Sequence, residues 1–510
     1  MKTYNIAFSN GTKLSFSLPE FLKKDRKLLK LLKVFYVLSV SFFFVFLFIL
    51  PMSGNIFSGI NFESNVLNFV AYSILILTVL YLGMVVLGGK KWLIDPVNFL
   101  SVLVFGLFTT MAAVLASPSN ISNTFGVSVL RGVSGLFVML AIGIFYLTNV
   151  FVRDLQAIKK AIFTLTAGFI TMLIVLASNS FYDPTVIPVQ FVNLSPLFVL
   201  LAFVALFVKT KKFALVTLAL SVALTFLYFA NYRGNLLNAF YVLSSGFFAS
   251  LILGLFYIFN NKQFLAKRIQ ELRTMLKKFK KADKFEFLNK VFSLSYLLIP
   301  VILLGILVLI MAQNSIGLNR IYEKVHHISI ALSNVVNNNV GGTPVTRLTV
   351  GLGGRILNTE FSLLSNIVAA QGLLGIIAYL YLGILAVYNG FKVLKQLFVE
   401  STYYKLVALL VFILIFVPIL SFLTYPGLLW IILWWISFAL VSVLKHISDK
   451  KNAKGKKKSE SDEEIEFKLA GLSFKRRPMR AYPAIIHTLL LCIVLLVGGL
   501  ILVGFSNLRF

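Results

Sequence analysis

The chain has 510 residues, 59% of them hydrophobic and 14% aromatic, with a mean hydropathy of +0.91 and a formal net charge of +30. That apolarity excludes an ordinary soluble globular protein, and a single cysteine, Cys492, inside an apolar run excludes both a disulfide framework and a cysteine metal centre. The positive excess lies mainly in short loops between apolar runs, where it meets the anionic lipids of an inner leaflet, so no nucleic-acid partner is expected.

Residues 1–30 read as a cytoplasmic N-terminal segment. Within it, 4–18 alternate apolar and polar residues around Asn10-Gly11, a dipeptide that tolerates positive φ at both turn centres, and this predicts a β-hairpin. Thirteen apolar stretches follow, near 31–52, 67–88, 97–116, 127–149, 160–178, 189–208, 213–230, 235–258, 292–312, 362–388, 404–424, 426–444 and 483–505. Each is roughly 18–25 residues, enough to cross ~30 Å of hydrocarbon at ~1.5 Å per residue. The first lacks a small-residue cleavage site and carries a long basic flank, so it is expected to be an uncleaved first helix.

Threading these stretches through a bilayer places 41 of the 48 Lys and Arg residues on one side. Lys and Arg are retained in the cytoplasm, so the N-terminus is expected inside and the C-terminus outside. The expected organisation is eight spans over 31–258, a basic amphipathic segment over 259–291, and a ninth span over 292–312. An outer loop over 313–361, three spans over 362–444, a basic cytoplasmic loop over 445–482 and a last span over 483–510 complete it. The 259–291 segment has apolar residues near helical spacing among its basic ones, the pattern of a helix lying on the inner leaflet. In the 445–482 loop, KKNAKGKKKSESDEE reads as a disordered tether, and Ile465–Phe474 offers a third strand to the N-terminal hairpin.

Chemistry is expected on the outer face. The loop 313–361 holds Arg320, Glu323, Lys324, His326, His327, Arg347, Arg355 and Glu360, cations on the side where the positive-inside bias disfavours them. A long loop must be polar in any case, but guanidinium groups in particular offer forked donors suited to phosphate oxygens. Arg233, in the short outer turn NYRGN, faces the same compartment, and Arg131 lies near the start of the fourth span, where an anchor to headgroups competes with a ligand contact. His326 and His327 are adjacent and lack metal-ligand spacing on a helix face. The outer loops contain no DxD or ExD pair, so neither a metal nor another cofactor is expected.

The segment from Asn358 to Ile384, NTEFSLLSNIVAAQGLLGIIAYLYLGI, carries a family resemblance. A short polar element, then Leu363 or Leu364, then Gly372 and Gly375 ahead of an apolar helix resembles the segment that closes the large periplasmic loop of O-antigen ligases and O-antigen polymerases. NYRGN is similar to the outward Arg-containing turn upstream in those proteins. The resemblance covers roughly residues 215–445. It implies an all-α polytopic membrane protein of the bacterial cytoplasmic membrane, with a GT-C-like helical arrangement and one large extracytoplasmic loop, beside the small cytoplasmic β elements that the alternation predicts.

The activity so implied is transfer or polymerisation of a polyprenyl-diphosphate-linked glycan onto a glycan, lipid or protein acceptor. Arg233, Arg347, Arg355, Arg320 and Arg131 would bind substrate. Where the ligases keep a His this chain has Phe361 next to Glu360, so Glu360, or His326 or His327 reaching in, would be the proton acceptor. For Glu360, a helix-capping role competes with the catalytic one. Three alternatives stand beside this reading: a lipid-linked-glycan flippase or other transporter, which would need polar groups at mid-membrane; the peptidoglycan polymerases of shape and division, whose loop Asp is missing here; and a scaffolding membrane protein.

Overall fold

The computed structural model describes residues 3–7, 13–17, 26–55, 62–88, 100–107, 109, 135–152, 154–179, 236–261, scattered positions from 263 to 274, 301, 362–397, 402–456, 467–469 and 472–474. Backbone polar groups in a lipid interior must be satisfied within the segment, and the apolar runs accordingly fold as helices. These are α1 Arg26–Ile49, continued by a 3₁₀ turn at Leu50–Asn55, α2 Phe62–Gly88, α3 Gly135–Phe151, α4 Leu155–Asn179, α5 Leu236–Asn260, α6 Leu363–Gln396, α7 Thr402–Leu423 and α8 Leu428–Lys456. Five of them contain stretches long and apolar enough to cross a membrane: Val34–Gly54, Phe240–Asn260, Gly375–Gln396, Tyr403–Leu423 and Leu428–Ser448. The expected spans 189–208, 213–230 and 483–505, and all of 292–312 but position 301, lie outside the described residues.

The apolar stretches of α7 and α8 are 83% and 94% buried, against 33% for those of α1 and α6, so α7 and α8 form the centre and the others surround them. Ring contacts tie the layers together: Phe145 of α3 meets Phe438 of α8 at 5.0 Å, and Phe169 of α4 stacks on Trp430 of α8 at 5.8 Å. Buried hydroxyls and amides are mostly absorbed by their own helices. Thr78, Thr166, Ser245 and Ser421 each donate to the carbonyl four residues earlier, as does the Asn149 amide.

Contacts between helix ends give the direction of each helix through the bundle. At one end, Leu363 N–H of α6 donates to Thr424 O just past α7, Phe169 lies on Trp430, and Gly168 of α4 abuts the Phe48 backbone of α1. Asn65 near the start of α2 donates to Gly54 O at the same end. At the opposite end, Phe256 and Tyr257 of α5 meet Phe391 of α6 and Tyr404 of α7, and Gln396 of α6 accepts from Ser448 of α8. Thus α1, α4 and α7 run one way and α2, α5, α6 and α8 the other. A Cβ on Gly106 would meet Ile142, and Phe105 packs on Trp435, so that Ile142 then Phe145 of α3 descend beside Trp435 then Phe438 and α3 runs with α8.

Two connections show local sequence control. Asp154 caps α4, its carboxylate accepting the Ala157 N–H at 2.6 Å. Gly427, at φ 87°, turns the chain from α7 into α8, a conformation that costs any residue with a Cβ.

The N-terminal hairpin forms, with β1 Thr3–Ala7 and β2 Lys13–Ser17 antiparallel, in a register that aligns Tyr4 with Phe16 and Ile6 with Leu14. The expected third strand is corrected. Ile465–Phe474 is not one strand; it folds on itself as β3 Phe467–Leu469 and β4 Leu472–Phe474, a separate two-stranded sheet. Gly471 interrupts the alternation, and so short a segment meets its own backbone before a distant hairpin. The tether reading is also corrected at its start, because α8 continues as helix through Lys456. Lys and Ala are good helix formers and prolong a helix already nucleated in the membrane. Similarly α6 runs to Gln396 rather than ending near 388, since Val393 and Leu394 bury against the bundle.

Candidate lipid-facing site

The candidate site arises from a mismatch in path length between α6 and α7. The two helices touch at Leu363/Thr424 and again at Gly390, where a Cβ would strike Val411. Between these contacts lie 27 residues of α6 but only 13 of the α7 side, about 40 Å against about 20 Å of rise. A straight helix cannot meet both points, so α6 leaves α7 and returns. Gly372 and Gly375 fall within the diverging interval, where helices tolerate bending.

A slot of about 850 Å³ occupies the gap, a volume in the range of pockets that enclose a small organic ligand. Its walls are Phe248 and Ile252 of α5, Leu363, Ile367 and Tyr379 to Phe391 of α6, Leu414 to Leu423 of α7, and Trp434 and Trp435 of α8. The rim is open: Leu380, Ile384 and Tyr388 are 53%, 69% and 63% exposed, and Phe248 is 48% exposed, among the described residues. Among the described residues no Asp, Glu, Lys, Arg or His lines the slot, and the hydroxyls there are those of Ser244, Ser421, Tyr379 and Tyr388. Ser421 donates to Val417 O, and the Trp434 indole N–H donates to Leu414 O. Such a lining takes hydrocarbon and leaves any charged group outside.

The wall of α6 is held from behind. Tyr379 packs edge-on to Phe105 at 4.8 Å, and the Tyr381 and Ser101 hydroxyls are 3.2 Å apart, so the helical residues 100–107 brace the bowed part of α6.

The residues expected to carry chemistry, Glu360, His326, His327, Arg131, Arg233, Arg320, Arg347 and Arg355, all lie outside the described residues. Glu360 precedes Leu363, which lines the slot, by three positions in the chain. Among the described residues no group of three His, Cys, Asp or Glu side chains is arranged to hold a metal. The slot itself escapes sequence reading, although Pro418 inside an apolar run and the Gly372/Gly375 pair were the available signals of irregular helices.

The fold and the slot define an α-helical membrane protein with a hydrocarbon-lined lateral groove. No family model matches the chain, and no curated protein and no solved structure is significantly similar to it.

Proposed function

We propose that the protein transfers or polymerises a polyprenyl-diphosphate-linked glycan at the outer face of the bacterial cytoplasmic membrane. One observation carries the reading: an uncharged slot open to the lipid phase begins at Leu363, the point where the Arg-rich segment 313–361 ends. A donor of this class has a hydrocarbon tail, a diphosphate at the interface and sugar in water. The slot suits the first. The guanidinium groups of Arg233, Arg320, Arg347 and Arg355 suit the second, with Arg131 nearer the lipid, since they offset the charge that grows on the leaving diphosphate. Glu360, or His326 or His327, takes the proton of the acceptor hydroxyl. The acceptor attacks the anomeric carbon, the bond to the diphosphate oxygen breaks, and the diphosphate leaves with the bonding pair.

Thirteen spans with an inner N-terminus belong to the same reading. The end of α4 and the start of α5 share one end of the bundle, in keeping with the pair of spans expected at 189–208 and 213–230. The end of α5 and the start of α6 lie at opposite ends, in keeping with the single span expected at 292–312. The basic residues of 261–290 and of the end of α8 then meet anionic lipids of the inner leaflet.

Reconstitution tests the function. Purified protein in vesicles with a lipid-diphosphate glycan and an acceptor should release lipid diphosphate and lengthen or modify the acceptor. A flippase would move the donor and release nothing, and that result would replace this reading.

A further inference from the structure

The slot is blind at one end, and the residues that close it are aromatic. Phe391 lines the slot and stacks on Phe256 of α5, with ring centroids 4.3 Å apart and planes at 23°. One residue further along α5, Tyr257 packs edge-on to Tyr404 of α7 at 6.5 Å, and these two side chains are 0% and 1% exposed. At the same level Gly390 lies against Val411, the point where α6 returns to α7. Here α5 and α6 each pack on α7, and the half-buried Phe256–Phe391 pair bridges the gap between them across the end of the slot.

The open length is short. Along α7 the lining runs from Leu414 to Leu423, about 14 Å of helix rise, or roughly half of a ~30 Å hydrocarbon core. Because Leu423 lies next to the Leu363/Thr424 end of the bundle, that half is the leaflet adjoining the start of α6. A slot of this depth serves a lipid held in one leaflet and offers no polar path to the other.

We propose that the Phe256–Phe391 stack is a chain stop, which limits the slot to the head-proximal stretch of a single isoprenoid chain belonging to a lipid diphosphate in the leaflet at the Leu363 end. The identity of that lipid rests on the function proposed above; the stop rests on the geometry alone. Chain beyond the stop has no route through the bundle and turns out past Ile384 and Tyr388, whose exposed side chains border the slot. The contacts that select a donor are then those of its first few isoprene units, and the remainder of the tail lies in lipid.

Photocrosslinking maps the end of the chain. Prenyl diphosphates from geranyl to geranylgeranyl and longer, each with a diazirine at the tail terminus, are bound to the protein in phosphatidylglycerol nanodiscs and the labelled residues are located by mass spectrometry. In the wild type, labels should advance down the slot with chain length, reach the surroundings of Phe391, and then move sideways to Ile384 and Tyr388. In Phe391→Ala the longest labels should shift past the stop to Tyr257 and Tyr404. In Phe391→Trp they should stop sooner, a shift in the opposite direction that a loosened fold would not produce.

Wild-type labels on Tyr257 and Tyr404, or identical end points in all three proteins, would overturn the stop. The vesicle release assay run beside it separates the two claims. Release of lipid diphosphate with no stop refutes this inference and leaves the function, whereas a stop without release does the reverse. Absence of slot labelling by every prenyl probe overturns the stop as a donor-selecting device.

Discussion

The indole N–H of Trp434 donates to the carbonyl of Leu414 at 3.2 Å, and this is the carbonyl that Pro418, lacking an N–H, leaves without its helical partner in α7. A helix in lipid cannot leave such a group bare, and α8 supplies the missing donor across the helix pair. Both Trp434 and Pro418 face the slot, so the repair of the helix also shapes the slot wall.

Trp434→Phe keeps the ring and removes the donor, and is expected to cost about 1–3 kcal/mol for the stranded buried carbonyl. Pro418→Ala restores an amide to Leu414 O, so the Trp434→Phe cost should shrink in that background. Thermal unfolding of the four proteins in detergent measures the coupling, and additive losses would show that Leu414 O is satisfied in some other way.

Gly168 and Gly383 make a matched pair of substitutions. A methyl at Gly168 would drive into the backbone carbonyl of Phe48, which cannot move aside, whereas a methyl at Gly383 meets nothing within 4 Å. Gly168→Ala should therefore lower stability by about 1–3 kcal/mol, while Gly383→Ala should be close to neutral or slightly stabilising within its helix. Melting temperatures of the two variants check this directly.

Orientation is open to chemical labelling in a Cys492→Ser background. An impermeant maleimide applied to whole cells should label Asn337→Cys and leave Gly455→Cys unlabelled until the membrane is broken. The opposite pattern would place the Arg-rich segment in the cytoplasm and remove it from any role at the outer face.

Diphosphate recognition predicts a dependence on the fork as well as the charge. Arg347→Lys and Arg355→Lys keep a cation but lose bidentate donation, and each should reduce glycan transfer and lipid-diphosphate release with little change in protein yield. Full activity in the Arg347→Ala/Arg355→Ala double variant would exclude these two residues from the donor site.

Glu360→Gln distinguishes a base from a helix cap. Loss of a general base should lower the rate about a hundredfold or more, whereas loss of a charge three positions ahead of Leu363, where α6 begins, should cost no more than ~0.3–1 kcal/mol of stability and leave transfer running. If transfer by the Gln variant is unchanged, His326→Gln and His327→Gln become the decisive variants.

By itself the sequence determined that this chain lies in a membrane and where its described helices run, because hydrophobic length against a fixed bilayer thickness is a local property of each segment. It also located the N-terminal hairpin, since Asn10-Gly11 and the alternation around it act over a few residues. Helix ends outside the apolar limits, at Gln396 and Lys456, were set by contacts and by propagation from the membrane, which hydropathy does not register. The slot was decided by tertiary structure alone. It exists because α6 travels about twice the distance of α7 between two shared contacts, and a difference in path between two helices has no signature in either one. The same holds for its blind end, where Phe256 and Phe391 stand 135 residues apart in the chain and meet because α5 and α6 both pack on α7, with Gly390 letting α6 close on Val411.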